Sequence, residues 1–139
     1  MDVYPKVFLY RRLVQSKLFI DNHFAEKIDL DNIADEAYCS KFHFIRLFKG
    51  VYGRTPHQYL TFVRLEQAKS KLKNNISVND ASFAVGFESP TSFASLFKRT
   101  YGQTPSYFRA TQIKLSSARQ KTPLKFIPGC ITAKFNLDK

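Results

Sequence analysis

The side chains of this 139-residue chain with most to offer a ligand are cations and hydroxyls left outside two apolar stripes. In the first stretch, Phe44, Leu47, Phe48 and Val51 repeat at i, i+3, i+4 and i+7, leaving Lys41, Phe42, Ile45, Arg46 and Lys49 outward or at the border. In the second, Phe93, Leu96, Phe97 and Tyr101 make the stripe and leave Thr91, Ser92, Ser95, Lys98 and Arg99 outside. These residue types suit recognition rather than bond-making. An Arg46 guanidinium is a planar fork of donors matched to paired acceptors. Lys and Arg heads suit phosphate oxygens, and short hydroxyls donate or accept as the partner requires.

Bond-making chemistry finds little support. His23, His43 and His57 share no metal-ligand spacing. Asp29, Asp31, Asp35 and Glu36 resemble paired carboxylates, but they flank a helix start, where capping and dipole complementarity account for the first two. Cys39 and Cys130 carry no motif and no secretory context, so reduced thiols are expected rather than a disulfide. No nucleophile–base–orienter set and no Gly-rich phosphate loop is present. No catalytic residue, metal or cofactor is therefore expected, and the chain does not read as an enzyme.

The two stripes belong to a repeat. Residues 44–56 (FIRLFKGVYGRTP) return as 93–105 (FASLFKRTYGQTP), an offset of 49 with eight of thirteen positions identical. Two copies are too few for a solenoid and indicate a duplicated supersecondary unit. Charge follows the same division. Residues 1–37 hold five Lys/Arg against seven Asp/Glu, whereas residues 38–139 hold seventeen against four. A basic excess that begins at the repeat points to a polyanion partner, with simple solubility as the alternative. No apolar run reaches the ~18–20 residues that span a bilayer, and the charged first twenty residues lack a small-residue cleavage site, so neither membrane nor signal peptide is expected.

Helical elements must position these residues. An amphipathic helix is predicted over about 5–24, with Val7, Tyr10, Leu13, Val14 and Leu18 inward. Asp29 offers a cap for a short helix over 30–37, and Ser40 caps the next, Lys41 to about Tyr52. Gly53 suits a left-handed exit and Pro56 a new start. A longer helix follows over about 56–73 with Tyr59, Leu60, Val63, Leu65, Ala68 and Leu72 inside, and Asn74-Asn75 breaks it. Ser77 opens the second unit, Val78, Ala81 and Val85 face inward, and Gly86 turns the chain. Ser89-Pro90 starts the second outward-facing helix, and a last short helix is predicted over 105–109. The basic remainder, 110–139, is expected to be partly extended and poorly defined. A short helix, a three-residue break and a second helix with a basic outer face is the helix-turn-helix pattern, which any helical hairpin shares.

At this point the residues carry a likeness. Leu30-x-x-Ile33-Ala34, Ser40 to Pro56, Val78-x-x-Ala81, Gly86-Phe87-Glu88-Ser89 and Phe93-x-x-Leu96-Phe97-Lys98-x-x-Tyr101-Gly102-x-Thr104-Pro105-x-x-Phe108-Arg109 resemble the AraC/XylS-type DNA-binding domain. The resemblance covers about 6–109 and implies an all-α fold of two homeodomain-like helix-turn-helix lobes, about 6–55 and 76–109, joined by a connecting helix over about 56–73. Ala81 and Ser82 depart from the family's larger aliphatic residue and Ala, Pro90 stands where polar residues are common, and no sensor domain precedes residue 6. The chain therefore looks like a stand-alone regulator or an excised DNA-binding domain.

What the resemblance implies is a sequence-specific, double-stranded DNA-binding transcription regulator that inserts helices at about 41–52 and 90–101 into successive major grooves. Base contacts are expected from Phe42, Ile45, Arg46, Thr91, Ser92 and Ser95, although Phe42 is equally readable as core. Backbone contacts are expected from Ser40, Lys41, His43, Lys49, Ser89, Lys98 and Arg99. Lacking Arg, Asn or Gln in a bidentate position, the second helix should position more than it reads. A connector of roughly 25 Å, at ~1.5 Å per residue, sits near the ~34 Å turn of B-DNA, and DNA bending would close the difference. A monomer in the bacterial cytoplasm (nucleoid), with RNA polymerase as its protein partner and no membrane, completes the expectation. The competing class is a protein-interaction module, docking through the acidic 21–36 segment or the tail, whose basic face does not bind DNA specifically.

Overall fold

The computed structural model describes residues 3–28, 30 and 40–121. Among them, regular structure is helical throughout: α1 (Val3–His23), α2 (Lys41–Tyr52), α3 (Pro56–Lys73), α4 (Val78–Ala84), α5 (Pro90–Tyr101) and α6 (Pro105–Lys121). The helix expected over 30–37 lies outside the described residues apart from Leu30, which packs on the first core. Cys39 and Cys130 also lie outside them.

Side-chain caps set the helix starts. Ser40, Thr55, Ser77 and Ser89 each accept a backbone N–H from three residues on, at 3.1, 3.2, 3.1 and 3.1 Å. Gln58 completes a capping box by accepting the Thr55 N–H at 3.0 Å. The repeat also stops its helices identically. Gly53 and Gly102 sit at φ 79° and 78° and donate their N–H groups to Lys49 O and Lys98 O. A β-carbon is disfavoured in that left-handed region, which is why glycine occupies both exits.

Two aromatic cores share α3. Leu13, Ile20, Phe44, Phe48, Leu60 and Val63 are buried in the first, and Leu65, Ala68, Leu72, Ala81, Val85, Phe93, Phe97 and Phe108 in the second. α3 gives its N-terminal half to one core and its C-terminal half to the other, so its apolar residues do not form a single stripe. Phe24 packs against both cores. The repeated pairs Phe48–Tyr52 and Phe97–Tyr101 have matching ring separations of 4.7 Å. Ala81 and Ser82 are fully buried, with the Ser82 hydroxyl donating to Asn79 O at 2.8 Å, so the departure from family residue types at this point leaves no exposed gap.

Three expectations are corrected. The inner face of α1 is Leu9, Leu13, Ser16 and Ile20, continued by Phe24 just past its end; Val7, Tyr10, Val14 and Leu18 are exposed. Ser16 is buried and its hydroxyl donates to Leu13 O at 2.9 Å, so a polar residue interrupts the true stripe while apolar residues occupy the outer one. In α2, Val51 is exposed and Tyr52 packs on the core instead. Finally, α6 does not stop near Arg109 but continues to Lys121. Nothing between Pro105 and Pro123 breaks a helix, and Ala110, Gln112, Lys114, Leu115 and Ala118 are good helix formers. Arg109 anchors the early turns, donating to Ile76 O at 2.9 Å and to Asn75 Oδ1 at 2.8 Å, and thereby clamping the α3–α4 turn.

Two phenols brace the helices. Tyr59 donates to Asp21 at 2.5 Å and Tyr101 to Glu66 at 2.6 Å. Burial first, then these carboxylates, raises both hydroxyls above the ordinary tyrosine range. The unfolded chain releases these protons near pH 10, while the folded chain retains them. The resulting stabilisation is complete below about pH 10 and is lost as pH climbs through the raised folded values. The urea midpoint should accordingly fall above about pH 10, and Tyr59→Phe/Tyr101→Phe should flatten that fall.

Candidate nucleic-acid interface

The buried Phe44 and Phe48 orient α2 so that its opposite face is open. On that face Phe42, Arg46 and Lys49 follow one another at helical spacing and are exposed, as are Lys41 and His43 beside them. Phe42 is 71% exposed, which removes it from the core and leaves a large ring in solvent beside Arg46. Ile45 is half-buried and lines a shallow apolar depression with Leu30, Lys41, Pro56 and His57. It can offer only an edge.

The second unit repeats this arrangement. Phe93 and Phe97 are buried, and Thr91, Ser92, Ser95, Lys98 and Arg99 are exposed. Ser95, Lys98 and Arg99 line an open depression with Ala94 and Thr104. Neither α2 nor α5 contains a carboxylate, so cationic and hydroxyl groups face solvent without an acidic residue on their own helix. Ser40 and Ser89 are the N-caps of these helices. Each has an acceptor position occupied by its own backbone, and the Ser89 hydroxyl also lies 3.2 Å from Ser92 Oγ.

His57 escapes a reading made from metal-ligand spacing alone. It stands at the second position of α3 and is exposed. It lines the depression containing Lys41 and Ile45, and also a cleft containing Gly86, Glu88 and Ser92. The first turns of α2 and α5 therefore open onto adjoining parts of one surface, with His57 belonging to both. The available signal was positional: His57 follows Arg54-Thr55-Pro56, where α3 begins beside the end of α2. Arg54, by contrast, is used by the fold, its guanidinium lying 3.9 Å from the Phe62 ring centroid. Among the described residues no three His, Cys, Asp or Glu side chains are grouped as a metal would need, and no helix is long and apolar enough to cross a membrane.

A family model described as a helix-turn-helix domain matches residues 33–111, more than half of the chain. The chain belongs to the AraC/XylS-type helix-turn-helix family. Two solved structures make the likeness concrete. The DNA-binding domain of AdpA, a global transcriptional factor in complex with a target DNA, is similar at TM-score 0.66 and 29% identity, covering 80% of this chain and 96% of that one. An AraC-type regulator from Chromobacterium violaceum is similar at TM-score 0.65 and 27% identity, covering 74% and 93%. Among curated relatives, the bifunctional transcriptional activator/DNA repair enzyme AdaA of Bacillus subtilis is 38% identical over 92 residues, 66% of this chain. The probable transcription factor PqrA of Proteus vulgaris is 38% identical over 85 residues, 60% of this chain and 70% of that protein. The chain spans only 44% of AdaA and 37% of the probable regulator LumQ of Photobacterium leiognathi. The AraC/XylS-type match covers both repeated units; among the described residues the second helix-turn-helix is present as α4 and α5, and the first contributes its outward-facing helix, α2.

Proposed function

We propose that this chain is a sequence-specific double-stranded DNA-binding transcription regulator, with α2 and α5 entering successive major grooves of one duplex. The observation that carries this reading is the pair of carboxylate-free helices, each presenting cations and hydroxyls opposite a buried Phe pair and opening onto adjoining surface. Residues 6–109 form the DNA-binding unit. Phe42, Ile45 and Arg46 contact base edges from the first helix, Arg46 as a fork on guanine and the apolar pair against thymine methyls. Thr91, Ser92 and Ser95 contact bases from the second. Lys41, His43, Lys49, Lys98 and Arg99, with Ser40 and Ser89, meet the backbone, and His57 meets the phosphates between the grooves. The chain acts as a monomer in the cytoplasm, works with RNA polymerase and performs no catalysis.

Selection from a random duplex pool tests this directly. Two conserved segments about one helical turn apart are expected; enrichment of one segment or none overturns the two-groove reading. On the selected site, Arg46→Ala should lose about 1–3 kcal/mol of discrimination at one base pair, with folding stability unchanged because Arg46 is exposed. A second reading is favoured by the exposed Val7, Tyr10, Val14 and Leu18 on α1, an apolar face suited to protein contact. It treats the chain as an interaction module, and the salt dependence below separates the two.

A further inference from the structure

The lobes meet at a second place besides α3. Arg64, half-buried on α3, donates from Nε to Phe24 O at 2.6 Å and from Nη2 to Glu26 O at 3.0 Å. One guanidinium thus grips two carbonyls of the turn that ends α1, where the helix dipole adds partial negative charge. The α4–α5 turn of the other lobe closes onto the same point. A β-carbon on Gly86 would lie 3.0 Å from Arg64 Nε, 3.0 Å from Phe24 O and 3.1 Å from Ala25 O, and Gly86 itself adopts φ 100°. Only glycine permits this backbone-to-backbone approach. Burial lowers the Arg64 pKa and the charge of Glu88, two residues beyond Gly86, opposes that shift, so both lobes act electrostatically on one head group. The ring of Phe24 packs into both cores beside it.

We propose that Arg64 and Gly86 are positioning residues: their junction fixes the angle between the lobes so that α2 and α5 engage two grooves simultaneously. This rests on the two-groove reading. Neither residue needs to touch DNA. A lobe joined only through α3 has more angular freedom, and the second helix then binds at a lower effective concentration. Loss of the junction should therefore reduce the advantage of a full site over a half site without weakening the half-site contact.

The test uses the full chain and two duplexes, the selected full site and the same site with its second segment scrambled. For the wild-type chain the full site should bind about 10²–10⁴-fold more tightly, the range expected when a second contact becomes intramolecular. Arg64→Met should lose about tenfold or more of that ratio while half-site affinity stays within about threefold. Arg64→Lys, which keeps charge but not the two-carbonyl grip, should fall between them. Circular dichroism confirms folding, and if Arg64→Met does not fold, Arg64→Lys and Gly86→Ala carry the same comparison. A wild-type chain that binds both duplexes equally overturns the two-groove reading and the junction's role with it. A wild-type ratio that survives in the folded variants, or equal losses on both duplexes, overturns the junction alone.

Discussion

Phe97→Ala should lose about 3–5 kcal/mol of folding free energy, a large share of the about 5–15 kcal/mol that holds a domain folded. Phe97 is fully buried, with ring centroids of Phe93, Tyr101 and Phe108 at 5.6, 4.7 and 5.6 Å. Three neighbouring rings cannot all move inward at once, so truncation leaves a cavity, and lost dispersion adds to lost burial. At about 2–8 °C per kcal/mol, the thermal midpoint should drop by roughly 6–40 °C. Urea unfolding measures the same loss. Phe42→Ala removes an identical side chain from an exposed position and should stay within about 0.5 kcal/mol of the parent. If the two substitutions cost the same, the division into buried stripe and outward face is wrong.

DNA affinity should fall steeply with salt. Lys41, Lys49, Lys98 and Arg99 are the exposed cations assigned to phosphates, and each neutralised phosphate contributes about −0.9 to the slope of log K against log salt. These four give a slope of about −3.6, or roughly 150-fold between 50 and 200 mM salt. Lys49→Gln and Lys98→Gln should each reduce the slope by about one while leaving sequence preference intact. Arg46→Ala should change preference more than slope. Fluorescence anisotropy across a salt series distinguishes these outcomes, and a flat response would favour the protein-interaction module.

Most of α2 and α5 was legible before any coordinates because their signals are local. Ser40 and Ser89 cap, Gly53 and Gly102 exit left-handed, and a 3.6-residue stripe fixes which side faces solvent. The residues proposed to meet DNA followed by subtraction. Ile45 is half-buried and shares its depression with Pro56 and His57 of α3, neighbours that helix periodicity cannot show. Of the α1 residues expected inward only Leu13 is buried, since the helix carries apolar residues on two sides and buries a serine on the inner one. α6 was cut short because its apolar period fades after Ile113, although intrinsic helix preference continues to Lys121. The Arg64–Gly86 junction left almost no sequence signal. An arginine paired with main-chain carbonyls about forty residues away looks, in one dimension, like any other surface cation.

The division of α3 between two cores has a consequence for cooperativity. Melting either hydrophobic cluster removes half the packing that keeps this eighteen-residue helix wound, and tertiary packing rather than intrinsic propensity supplies most of a helix's stability in water. The duplicated halves therefore cannot behave as independent beads, even though each has its own aromatic centre. Loss of one withdraws the wall against which its twin is built, so the folded population carries both lobes or neither.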